Sequence, residues 1–396
     1  MRPVTTSFEY QLDGTLLSVG RGRIDGLGPH LDRMGYDRAL LVCGQNVGSN
    51  DDLMDVIKSA LGDRLAATFD GTTPDKSVKS LYEAMDVAVD EDVDITIGVG
   101  GGSSLDIARQ LGVFKADGRD MNAIQSVALE NGHVKLNPTD PILPTIAIPT
   151  TFAGADISPG GSIEIIDAAE SPTGQPIRGS GTNWPLLTIH DGSLVETTPI
   201  SALAGSAMNG FNKPIETLYA RTATAITDAT AIHALKLFTE TYPRLSDAEE
   251  STMDRAVVAS VLGQFRRQTS VIHAFGHGLS RRYTLQQGDA HAVMAPHVLA
   301  YLFSKIDGRR LLIAEALDLP VDNRDPDSIA DSIVDRIHSI TDALDVPTRL
   351  RDISQVDQSD FPAIAEFIVG DIPDDRAPIG FEPTAPEIEE VLENAW

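Results

Sequence analysis

The chain has 396 residues, enough to bury two domains or one large domain with an insertion. Its hydrophobic fraction of 42% is ordinary for a globular protein, whereas a formal charge of −27 is not, and a surface so negative argues against a nucleic-acid partner. Cys43 is the only cysteine, which excludes an internal disulfide framework and a cysteine-rich zinc site. No leader pattern and no apolar stretch long enough to span a bilayer stands in the sequence, so the cytoplasm is the expected location and no membrane partner is expected. Only eight lysines are present, and arginine carries most of the positive charge. That balance suits a surface adapted to high salt, and the expected source is a halophilic cell.

The first half alternates short β-branched runs with amphipathic stretches, the pattern of βαβ units. A helix is expected over 24–34, closed by Gly35, and a buried strand over 39–43. Residues 51–61 read as a helix and 66–69 as a strand, after which Thr73-Pro74-Asp75 opens a helix running towards Ala88. A strand over 93–99, a helix over 103–114 and a strand ending at Pro149 follow. The Gly/Ser/Pro-rich piece 171–185 suits a surface excursion or a hairpin. Beyond Ser201 strand-like alternation is scarce, and helical spacing recurs over 229–240, 254–265, 292–303, 309–317 and 328–344. The expected architecture is an α/β nucleotide-binding domain, residues 1–185, followed by an all-α domain, 186–396. The active site is expected in the cleft between them.

The first chemical signal is Gly100-Gly101-Gly102-Ser103-Ser104, a glycine turn between a strand and a helix. Consecutive glycines admit a pyrophosphate close to the backbone, and the helix start offers free N–H groups and the positive end of its dipole. The simpler alternative is a tight turn with a serine cap, for which one or two glycines suffice. After the 39–43 strand comes Gly44-Gln45-Asn46, with no acid to repel a 2′-phosphate, so NADPH is as admissible as NADH. Thr150-Thr151-Phe152, continuing to Ser158, also follows a strand and is fit to line the nucleotide.

The second signal lies in two later helices. Asn209 and Lys213 are four apart, as are His273 and His277, so each pair shares one helix face among apolar neighbours. Two histidines at that spacing raise the question of a divalent metal. An amide and an ammonium opposite them are poor ligands, so no metal is expected. An ion pair between Lys213 and Glu216 is the simpler reading of that lysine, and a satisfied core pair that of the histidines.

Together these pieces resemble the iron-dependent (group III) alcohol dehydrogenase superfamily. The likeness runs through the glycine turn, the 149–158 segment, 208–216 and 273–291, and on to the tail with Pro383-Thr384-Ala385-Pro386-Glu387-Ile388 and Trp396. The nearest branch is maleylacetate reductase: 150–159 is similar to that branch's TTYAGSEMTP, and Met208-Asn209 matches its Met-Asn. The resemblance implies the dehydroquinate synthase-like fold, an NAD or NADP cofactor, and a homodimer or larger assembly. It places cofactor roles on Gly100, Gly101, Gly102, Ser103, Asp106, Thr150 and Thr151, and matches His273, His277 and His291 to the branch's histidines. Metal-binding relatives carry Asp, His, His and His where this chain has Asn209, Lys213, His273 and Gln287. Arg281-Arg282 replace paired glycines.

The expected activity is metal-independent reduction of a small carboxylated carbonyl or enol compound, or oxidation of the matching alcohol. Lys213 would stabilise the developing alkoxide and Asn209 would orient it. His277 would pass the proton, with His273 or His291 as relay. Phe152, Gln287, Arg281 and Arg282, with Arg266 or Arg267, are the candidate substrate contacts; a basic surface turn is the simpler reading of the arginines. Two rivals stand beside this reading. Phe275-Gly276-His277-Gly278 and Gln287-Gly288-Asp289-Ala290 faintly resemble the dehydroquinate synthases, lyases that use nicotinamide transiently. The other is a non-catalytic nucleotide-binding protein.

Overall fold

The alternating runs of the first half come together as one seven-stranded sheet. The structure, a computed structural model, describes residues 5–283 and 285–396. Its strands are β1 (Phe8–Leu12), β2 (Thr15–Val19), β3 (Ala39–Val42), β4 (Leu65–Phe69), β5 (Ile95–Gly100), β6 (Thr145–Pro149), β7 (Ile163–Ile166), β8 (Ile177–Gly179) and β9 (Leu187–His190). The sheet runs β1-β2-β9-β6-β5-β3-β4, while β7 and β8 form a separate hairpin. Every neighbour pair in the sheet is parallel except β1 with β2.

Helices cover both faces of this sheet, so its strands are apolar at successive positions. Leu40 and Val42 pack into one core with Leu81, Ile107 and Phe114. Leu41 and Cys43 pack into the other with Leu53, Ile57, Ile97 and Ile148. Burial on both faces is why these strands read as continuous apolar runs rather than as alternation. The chain reverses its winding between β3 and β5, and in such sheets ligands bind at the carboxyl ends of the strands beside that switch.

The expected helix over 51–61 is present as Asp51–Leu61, where Asn50 caps it by accepting from the Leu53 N–H. The 171–185 piece holds strand β8 of the β7–β8 hairpin and the turn residues before it. The domain boundary is corrected. β9 sits between β2 and β6, so residues 186–198 belong to the α/β unit, which runs Thr5–Thr198. A four-residue strand carries too little periodicity to announce itself. The hairpin of β1 with β2 and the helix Met121–Asn131 were likewise not anticipated.

The second unit, Pro199–Trp396, is helical. Its central helix, Ile200–Tyr219, is buried on every side from Gly210 onward, while Ser206 and Asn209 are half-buried. Helices Ala225–Thr241, Glu250–Gln264 and Gln287–Lys305 pack around it. A helix enclosed in this way can present polar groups only to its neighbours. Among the described residues no helix is long and apolar enough to cross a membrane.

Candidate active site

In the α/β unit three expected cofactor segments leave the carboxyl ends of adjacent strands. β3 pairs with β5 through Val42 and Gly98, and β5 with β6 through Gly100 and Pro149. Gly44 and Asn46, Gly100 to Ser103, and Thr150 with Thr151 are thereby gathered at the switch of the sheet. Gly100 has φ +127°, which favours glycine. The helix Gly102–Asp117 starts from Gly101 with no side chain capping it, so its first N–H groups are available to an anion. A Cβ on Gly101 would point at Thr151, 3.6 Å away, and one on Gly102 at Ala155, 3.4 Å away. The bare backbone therefore faces the loop after β6, a cradle that suits a pyrophosphate.

The other cofactor candidates fall into two groups. Ser103 donates to the Pro74 carbonyl at 3.3 Å, Thr150 accepts at its carbonyl from Thr198 at 2.8 Å, and Ser158 is half-buried on the loop. Asn46 is exposed. Asp106 is paired within the unit. Its carboxylate is taken by Lys76 at 2.6 Å and by Arg109 at 2.9 Å, which ties it to the scaffold. Arg109, 1% exposed, also donates to the carbonyls of Gly160 and Ala155 and so fastens both sides of the loop after β6. Nothing in its spacing announced that task.

In the helical unit Asn209, Lys213 and Glu216 lie at i, i+4 and i+7 on the central helix. Gly205 and Gly288 let this helix approach the helix Gln287–Lys305, since a Cβ on Gly288 would fall 1.7 Å from the Gly205 carbonyl oxygen. That approach brings the Asn209 amide to Gln287, 3.1 Å away. His273 stands on the helix Val271–Arg282, with its Nε2 3.3 Å from Asn209 Oδ1. Its ring centroid lies 4.5 Å from that of His291. Lys213 is 4% exposed, and its charge bears on both imidazoles.

Glu216 organises this cluster, and the sequence reading saw in it only a partner for Lys213. One carboxylate oxygen accepts from the Ser270 and His273 backbone N–H groups, capping the Val271–Arg282 helix from outside. The other faces His273 Nδ1. Burial pushes the carboxyl up to about 7, outweighing the backbone donors that pull it down. Burial, then Lys213, holds His273 well below the usual imidazole range. Both shifts favour a neutral pair that shares one proton. The donor inventory agrees: Glu216 O–H to Nδ1, Nε2–H to Asn209 Oδ1, and the Asn209 amide to Gln287. A carboxylate at the third place of a polar stripe was the available signal.

The remaining candidates separate. His277 is exposed and bonds Asp371 at 2.7 Å, whereas His291 is fully buried and neither ring nitrogen has a hydrogen-bond partner among the described residues. Gly276 makes room for that ring, since a Cβ there would fall 2.1 Å from His291 Nε2. Three substrate candidates are engaged within the protein. Phe152 is 1% exposed. Arg282 is committed to Asp360 at 2.8 Å, and Arg281 lies over the Phe367 ring at 4.8 Å. Both arginines lie in the last turn of the helix Val271–Arg282.

Residues 15–171 match the family model described as iron-containing alcohol dehydrogenase. Residues 203–396 match the Fe-containing alcohol dehydrogenase family, C-terminal, so by class this is an oxidoreductase. The chain belongs to the iron-containing alcohol dehydrogenase family. It is 29% identical over 309 residues to the NAD-dependent methanol dehydrogenase of Bacillus methanolicus, covering 76% of this chain and 77% of that one. It is 27% identical over 289 residues to maleylacetate reductase 2 of Cupriavidus pinatubonensis, covering 71% and 70%. The crystal structure of a 1,3-propanediol oxidoreductase superposes with a TM-score of 0.84 at 22% identity, covering 96% of this chain and 97% of that one.

The family name implies iron. At the positions that resemblance aligns with the metal ligands this chain offers two amides, one imidazole and an ammonium. Among the described residues no three His, Cys, Asp or Glu are grouped to hold a metal ion. Neutral amides bind a divalent ion weakly and an ammonium repels one, so this donor set does not suit iron.

Proposed function

We propose that the chain is an NAD(P)-dependent oxidoreductase that works without a divalent metal. It reduces a small carboxylated carbonyl or enol compound, in the manner of the maleylacetate reductases, or oxidises the matching alcohol. The observation that carries this reading is Lys213: a buried cation on the helix of Asn209, acting on both His273 and His291.

When bound, a reduced nicotinamide supplies the hydride. The chain's part is to hold the dinucleotide on the Gly100–Ser103 backbone and to accept charge on the substrate oxygen. An ammonium about 4 Å from that oxygen stabilises it by roughly 4 kcal/mol at an effective dielectric near 20. That is on the order of a thousandfold in rate. Asn209, braced by His273 and Gln287, orients the oxygen. His277, exposed beside Asp371, exchanges protons with solvent and passes one to the alkoxide. Arg267 and Arg376 add to the positive field at His273, which supports an anionic substrate.

The test is Lys213→Met with dinucleotide affinity read separately. Turnover should fall about a thousandfold while cofactor binding persists, and a chelator should leave the native enzyme unchanged. Retained turnover removes Lys213 from its role. A stoichiometric metal whose removal stops the reaction sinks the metal-free reading.

A further inference from the structure

We infer that the chain takes NAD(H) in preference to NADP(H), and that Asp70 sets the choice. This rests on the reading of the switch-point cradle as a dinucleotide site. In a doubly wound sheet the adenosine ribose lies over the strand next to the glycine-turn strand, and an acid there bonds the 2′-hydroxyl and repels a 2′-phosphate. The neighbour here is β3, whose own continuation, Gly44-Gln45-Asn46, carries no acid. Read along the chain, that leaves both cofactors open.

The structure supplies the acid from the next strand. β4 pairs with β3 through Phe69 and Val42, and beyond its end the chain wraps the end of β3. The Cys43 N–H donates to the Phe69 carbonyl at 2.9 Å, and the Thr72 N–H donates to the Cys43 carbonyl at 3.2 Å. A Cβ on Gly44 would meet Thr72 Oγ1 at 3.3 Å. One on Gly48 would meet Asp70 Cβ at 2.8 Å and its Oδ2 at 3.3 Å. The Asp70 carboxylate therefore stands against the short helix Gln45–Gly48 that follows β3. Thr72 Oγ1 lies 2.8 Å from Ser104 Oγ, which pins the same turn to the first turn of the phosphate-facing helix.

At the Cys43 thiol, after burial itself, Asp70 acts more strongly than Lys58, which opposes it. A phosphate dianion placed beside the Asp70 carboxylate meets repulsion that a bare hydroxyl does not. The hydroxyl gains a hydrogen bond from the same carboxylate.

The experiment is fluorescence titration of the full chain with NADH and with NADPH, in the native protein and in Asp70→Asn and Asp70→Ser. Asp70 is exposed, so neither change threatens the core, and the asparagine keeps the shape while removing the charge. Native protein should bind NADH at least tenfold more tightly, and both variants should narrow the gap chiefly by tightening NADPH. An unchanged ratio in the variants, or tighter NADPH binding by the native chain, overturns the inference while leaving the dinucleotide site standing. Failure of both dinucleotides to bind overturns the parent reading, and this inference with it.

Discussion

Glu216 and His273 show how one buried proton connects a structural cap to a chemical group. The carboxyl is sealed from water, so the neutral form is favoured up to about pH 7 although two backbone N–H groups favour the anion. The consequence for stability has a definite sign. The unfolded carboxyl loses its proton near 4.5 and the folded one near 7, so Glu216 contributes stability fully below pH 4.5 and loses it as pH rises to about 7. His273, depressed below 6.5, runs oppositely: its contribution is present above 6.5 and is lost as pH falls through its folded value. Glu216→Gln removes the first effect and keeps the second. Melting temperature followed from pH 4.5 to 7 should therefore rise in the variant relative to the native chain, by on the order of 5 °C across the window. A constant offset between the two curves would remove Glu216 as the titrating group.

Among elements, Arg109 ties the loop after β6 to the helix Gly102–Asp117. Arg109 donates to two of the loop's carbonyls and to Asp106, and it is almost wholly buried. Truncation would strand those acceptors and leave Asp106 with Lys76 alone. Removing one member of a buried charge pair costs about 3–5 kcal/mol. Arg109→Met should lower the melting temperature and weaken dinucleotide binding at least tenfold, with turnover recovering at saturating cofactor because the Lys213 cluster is untouched. A variant that melts earlier but binds dinucleotide normally would show that Arg109 serves the core and not the cradle.

At the level of the whole molecule the charge of −27 has its own consequence. Mutual repulsion of surface carboxylates opposes folding, and salt relieves it as the screening length shrinks from about 10 Å at 0.1 M to about 3 Å at 1 M. Melting temperature should climb by roughly 10 °C or more between 0.1 and 2 M KCl if the surface is adapted to brine. A flat response would separate the acidity from any such adaptation.

The order of elements was legible because periodicity and caps are local. Asn50 and the 3.6-residue spacing after it define a helix whatever it packs on, and Gly100 to Ser103 define a strand–turn–helix. The spacing of Asn209 with Lys213, and of His273 with His277, likewise placed each pair on one face. Only the folded chain decided that His291 is sealed while His277 opens to water, that Glu216 reaches a neighbouring helix, and that Asp70 stands beside Gly48. Those outcomes depend on desolvation and on contacts between segments far apart along the chain, and neither is set by a residue's own neighbours in sequence.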